Sequence, residues 1–188
     1  TQCVVPLAET PQAVNPSQGY VLTANNQPGP ITNDNSLTND PWYIGGPWSS
    51  VRADSIDQGL AKVTATGSAD VAAMAAIQAD TRSRLGEMFT KAFLAAITKA
   101  RMLSETDGVT APWEERLVAL YEGRKQAMDE VETRLSAWAE ADYPTPSGVT
   151  TFYHTPQEGD GPHAVAIMLF NAWLPRVLAE TYNDEPME

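Results

Sequence analysis

The chain has 188 residues, 43% of them hydrophobic, enough to bury a core of ordinary single-domain size. Lys+Arg 12 against Asp+Glu 24 gives a net charge of −12, which speaks against a nucleic-acid backbone or an anionic membrane as a partner. The one cysteine, Cys3, excludes an internal disulfide, and no apolar run reaches membrane-spanning length.

Residues 1–50 are rich in Pro, Gly and Asn and read as a loop-rich arm, with short strands at most at Cys3–Val5 and Gly19–Thr23. Thr1-Gln2-Cys3-Val4 lacks the basic flank and apolar block of a signal peptide. The extended start and the acidic finish read as cuts within something larger. An arm of this kind is expected to lie over a larger body and to carry function.

From residue 51 to 188 the pattern is mostly helical, as part of the same domain. Arg52–Val63 predicts a short helix with Ile56 and Leu60 on one face, broken at Gly67. Ser68 is the expected cap of a second helix, with Val71, Met74, Ala75 and Gln78 in register. Leu85, Met88, Phe89, Phe93 and Ile97 form a stripe that continues to Arg101 and stops at Asp107-Gly108. Pro112 suits a first helical position, where its missing N–H costs nothing. Leu117, Tyr121, Met128, Val131, Leu135 and Trp138 follow at helical steps, interrupted at Arg124. Tyr143–Gly161 is a proline-bearing connector, and Pro162 opens a last helix carrying Val165, Leu169, Trp173 and Val177, with a kink expected at Pro175.

Within the arm, Asn25 and Asn26 follow an apolar run and precede a Pro-Gly turn. Cleaving an amide passes through a tetrahedral intermediate whose oxygen carries negative charge. A preorganised donor at that oxygen is worth roughly 3–4 kcal/mol, and a carboxamide NH₂ is a neutral donor that does not titrate. The same residues also suit a plain turn, since Asn tolerates left-handed backbone geometry. Arg52 offers a rigid, always-charged fork that can hold a carbonyl or amide, or it can pair with Asp54 or water. His154 and His163 match no helix-borne metal spacing and read as loop residues. The pairs Glu114-Glu115 and Asp129-Glu130 read as solvated charge on polar helix faces. Trp113, Trp138 and Trp173 read as packing residues; Trp42 and Trp48, with Asn26, are also candidates for the edge of an acyl pocket.

Val5-Pro6-Leu7-Ala8-Glu9-Thr10-Pro11-Gln12-Ala13-Val14-Asn15-Pro16-Ser17-Gln18-Gly19-Tyr20, followed by Ala24-Asn25-Asn26-Gln27-Pro28, resembles the segment leading into the oxyanion-hole asparagine of the penicillin amidase family. Asp40-Pro41-Trp42-Tyr43-Ile44-Gly45-Gly46-Pro47-Trp48-Ser49-Ser50-Val51-Arg52 is similar to the stretch ending in that family's active-site arginine. Ser55 stands where many relatives have a second arginine. Met74–Asp80, Leu135-Ser136-Ala137-Trp138 and Ala164–Leu178 resemble later helices, with Ala139-Glu140 in place of an Asp-Gly pair.

The resemblance implies an α+β chain, part of an αββα N-terminal nucleophile hydrolase, in which this segment is an irregular arm with short strands followed by a helical body. It implies that Asn25 is the oxyanion donor and Arg52 its orienting cation. The nucleophile is then the first serine of a self-cleaved β-chain, upstream of Thr1, and its own α-amine is the base. Thr1 is accordingly not the nucleophile, and this chain alone is expected to be inactive. The implied substrate is a small amide, a β-lactam side chain or an N-acyl homoserine lactone. The implied partners are the remaining α- and β-chain segments of one precursor, in a periplasmic or extracellular location. No cofactor is implied except a structural Ca²⁺, for which Asp40 is a candidate ligand with Asn33 and Asp34 nearby; calcium needs six to eight oxygens, more than these supply. A non-enzymatic acidic helical module that binds a partner is the other reading of the composition.

Overall fold

A computed structural model describes residues 6–26, 51–106, 108–151 and 155–182. They contain a 3₁₀ turn at Leu7–Glu9 and six α-helices: α1 Val51–Thr66, α2 Val71–Ala79, α3 Arg84–Thr106, α4 Pro112–Glu122, α5 Lys125–Glu140 and α6 Asp160–Tyr182. The chain divides into two compact units, Thr1–Asp80 and Thr81–Glu188.

The described residues hold no strand, which corrects the expected α+β class to all-α. Gly19–Thr23 is irregular: a strand exists only where a second backbone pairs with it, and the local bonds here are Gly19 N–H to the Pro16 carbonyl (2.9 Å) and the Gln18 amide to the Tyr20 carbonyl (3.0 Å). Cys3–Val5, the other expected strand, lies outside the described residues.

In the first unit, α1 stops where Gly67 turns left-handed, with φ +63°. The N–H groups of Gly67 and Ser68 reach back to the carbonyls of Thr64 and Val63, both at 3.1 Å. This is the Schellman pattern that satisfies a helix's last carbonyls. The next helix is capped by Asp70, not Ser68: the Asp70 carboxylate accepts from the Ala73 N–H at 2.8 Å. The Ser68 hydroxyl instead meets Thr66 Oγ1 at 2.6 Å. The backs of α1 and α2 approach closely at Gly59, where an added Cβ would lie 3.0 Å from Ile77.

In the second unit, Ser83 starts α3 by accepting from the Gly86 N–H at 3.0 Å. Phe93 of this helix, Leu135 and Trp138 of α5, Tyr143, and Ala166, Phe170 and Leu174 of α6 form one buried cluster. Trp138 packs edge-on against Tyr143 (5.2 Å, 86°) and lies 5.4 Å from Phe170, centroid to centroid. Its indole N–H donates to the Pro144 carbonyl at 2.7 Å, so the ring buries without an orphaned donor. Gly86 makes room for that ring, since a Cβ there would sit 2.5 Å from it. A second cluster joins Ile97 and Ala100 of α3 to Tyr121 of α4.

Three expected faces differ from those observed. On α2, Val71, Ala75 and Gln78 are exposed, and the half-buried side chains are Ala73, Met74 and Ile77. Met88 is exposed on α3. On α6 the buried side chains are Ala166, Phe170 and Leu174, one position on from the expected Val165, Leu169, Trp173 and Val177. That helix is apolar nearly all round, so its periodicity does not select a face. It begins at Asp160 and carries Pro175 inside it. The break at Arg124 is as expected: the residue leaves helical geometry at φ −144° between α4 and α5.

Candidate active site

The arm reaches α1 at two points. Arg52, the second residue of α1, donates from Nη2 to Asn25 Oδ1 at 2.5 Å. A guanidinium can only donate, so the atom that faces it is the amide oxygen, and the NH₂ is turned the other way. This is the orientation an oxyanion donor needs: the acceptor end is held, and the two N–H bonds remain free to be offered. Asn25 and Arg52 are both exposed.

The Asn25 backbone is left-handed at φ +56°, a conformation Asn adopts more readily than most residues. Asn26 stabilises it from the other side, its Oδ1 accepting from the Ala24 N–H at 3.0 Å. That bond closes a small loop around Asn25 and leaves Ala24 buried. The expected turn is thus present at Asn25-Asn26, and within it the Asn25 side chain reaches Arg52. The second point of attachment is Tyr20, whose hydroxyl donates to Asp57 Oδ1 at 2.8 Å. This bond, then burial and the nearby charge, push the Tyr20 pKa up. Gly19 precedes it at φ +84°, with Thr64 3.0 Å from where a Cβ would stand.

A cleft of about 420 Å³ opens between the arm and α1, lined by Tyr20, Leu22 and Asn26 on one side and Ala53, Asp54 and Asp57 on the other. Its arm wall mixes apolar and amide side chains, and its helix wall carries two acids. Asn26 thus both braces the turn and faces the cleft.

Sequence reasoning passed over Tyr20 and Asp57 as a pair. The signal was present, an aromatic hydroxyl five positions before Asn25 and an acid five positions after Arg52, but spacing alone gives no reason to join them. Asp40, Trp42 and Trp48 lie outside the described residues, as do Asn33, Asp34, Thr1 and His154. The described residues contain no group of three or more His, Cys, Asp or Glu side chains placed to hold a metal ion. No helix among them is long and apolar enough to cross a membrane.

In the second unit each acidic pair splits: Glu115 and Glu130 are exposed, as expected of solvated charge, while Glu114 and Asp129 are engaged. Glu114 is buried and accepts from the Thr110 N–H (2.9 Å), the Thr110 hydroxyl (2.9 Å) and the Ala111 N–H (3.1 Å). It thereby serves as the acid of a helix-start cap. Those Thr110 bonds, with Lys99 and Ala111 adding to them against the cost of burial, lower its pKa to about 2. Asp129 accepts from the Tyr121 hydroxyl at 2.8 Å, and Arg101 and Lys125 also donate to that phenol, at 3.2 and 3.1 Å. Glu130 pairs with Arg134 along α5. Glu114 thus caps α4 and Asp129 ties α5 to α3 and α4, while the Glu130 pair stays within α5.

Comparison with known proteins gives one family: the penicillin amidase model matches residues 1–187. No curated protein and no solved structure matches the chain. The chain belongs to the penicillin amidase family, and so to the acylase-type hydrolases.

Proposed function

We propose that this member of the penicillin amidase family supplies the oxyanion-stabilising part of an enzyme that hydrolyses a carboxamide. The observation that carries the reading is the 2.5 Å bond from Arg52 to the oxygen of Asn25, made by an asparagine in left-handed geometry. In the proposed reaction a serine at the start of the mature β-chain, outside these 188 residues, attacks the carbonyl carbon, and its own α-amine takes the proton. The carbonyl oxygen becomes negative, and the Asn25 NH₂ donates to it. The C–N bond then breaks, the amine leaves with a proton, and water hydrolyses the acyl-serine.

Arg52 has two effects in this scheme. It fixes the amide so that no reorientation is needed at the moment of reaction, and its charge favours the nearby oxyanion. The proposed substrate is a small amide with an apolar acyl group, of the β-lactam side-chain or N-acyl homoserine lactone type, as the resemblance implies. Asn26 is proposed to line the substrate cleft, and the enzyme to work as a processed, exported precursor.

The test is acyl release by the complete matured protein with Asn25→Ala. Removing one oxyanion donor is expected to lower kcat by about 10²–10³ with little change in KM. Undiminished turnover would show that Asn25 is only a turn residue.

A further inference from the structure

We propose that Tyr20 and Asp57 are positioning residues for Asn25, forming the second of two staples that fasten the oxyanion segment to α1. This rests on the acylase reading above and concerns the same site. Tyr20 and Asn25 are five positions apart in the arm, and their partners Asp57 and Arg52 are five positions apart in α1. The pairs run in opposite directions, so the arm lies antiparallel along about 7.5 Å of helix. One staple alone lets the segment pivot. Two fix both its distance from the helix and the direction in which the Asn25 side chain leaves it.

Three further observations agree. The Tyr20 hydroxyl also lies 3.4 Å from the Asp57 backbone carbonyl, so the phenol is seated against the helix rather than brushing one side chain. A phenol is protonated at neutral pH, so Tyr20 is the donor and the Asp57 carboxylate the acceptor of this bond. Gly19, in a left-handed conformation few other residues adopt, brings the backbone within contact of Thr64 and so lets Tyr20 lie on α1. Apolar burial does not supply the restraint: among the described residues of this unit only Ala24 and Ala53 are buried apolar side chains. The polar staples therefore set the geometry. A displacement of about 1 Å at a reacting group can cost up to 10²-fold in rate, so the second staple has a kinetic consequence.

The experiment is a mutant cycle in the complete matured protein, with kcat and KM measured for Tyr20→Phe, Asp57→Leu, Asp57→Asn, Asn25→Ala and Tyr20→Phe combined with Asn25→Ala. Tyr20→Phe and Asp57→Leu are each expected to lower kcat about tenfold with KM held within about twofold. Asp57→Asn keeps an acceptor oxygen for the phenol and is expected to retain most of the rate. With Asn25 already removed, Tyr20→Phe is expected to cost nothing further, because a positioning residue has no effect once the group it positions is gone. Unchanged kcat in Tyr20→Phe beside a large loss in Asn25→Ala would overturn the positioning role and leave the acylase reading standing. An equal loss from Tyr20→Phe with and without Asn25 would also overturn it, since the effect would then be general. Full turnover by Asn25→Ala would remove the acylase reading and this inference with it.

Discussion

In the unit spanning residues 81–188, seven apolar side chains from three helices and the turn after α5 close into one buried cluster, with Trp138, Phe170 and Leu135 sealed from solvent. In the unit spanning residues 1–80, the buried apolar side chains among the described residues are two alanines. The arm there is held to α1 by Arg52–Asn25 and Tyr20–Asp57, and α2 is started by the Asp70 carboxylate. Burial is non-directional and scales with area, so the helical unit fixes its shape through volume. Hydrogen bonds are directional and individually small, so the arm fixes a few orientations without a large core. The candidate active site lies in the unit where apolar burial contributes least, and hydrogen bonds orient its side chains.

Substitutions in the two units should therefore fail in different ways. Trp138→Ala removes a fully buried ring and the bond to the Pro144 carbonyl, and should destabilise the second unit by about 3–5 kcal/mol. Chemical denaturation would measure the loss, and hydrogen exchange should locate it in α3, α5 and α6. If protection in those helices survived, the cluster would not be what holds them. Asp70→Ala removes one cap and should cost about 1 kcal/mol, confined to the start of α2 in exchange measurements. A global loss larger than that of Trp138→Ala would reverse the contrast drawn here.

The smallest effect is expected at Glu114. Its folded pKa is depressed from 4.5 to about 2, so it favours the fold fully above about pH 4.5 and loses that contribution as pH falls through about 2. Glu114→Gln should lower Tm modestly at pH 7, and the gap to the parent should close on acidification across that window. A gap that stayed constant with pH would show that the carboxylate charge has no part in the cap.

The helices of both units are legible in the sequence as far as their count and breaks, because Gly67, Pro112 and the Gly123-Arg124 step act through backbone geometry that needs no tertiary information. It did not reveal which side of α6 is buried, since apolar residues surround that helix and only its neighbours choose among them. Strand content was overestimated for a related reason: Tyr20-Val21-Leu22-Thr23 has strand-like composition, but composition does not provide a pairing partner. Glu114 was read as solvated because an acid next to an acid resembles a polar face, although an acid two positions after a helix-opening proline is well placed to reach back to the chain before it. The proximity of Asn25 and Arg52 was expected from family resemblance. From residues alone, a plain turn and an ordinary helix-start arginine are the favoured readings of the two.

In the proposed mechanism Arg52 holds Asn25 so that its NH₂ meets the oxyanion. The most direct measurement is a crystal structure of the complete matured protein with a boronate or phosphonate mimic of the tetrahedral intermediate bound. Asn25 Nδ2 is expected at about 3 Å from the mimic's oxygen, with Arg52 still on Oδ1. A mimic oxygen bound by other donors, with the Asn25 amide facing solvent, would contradict it.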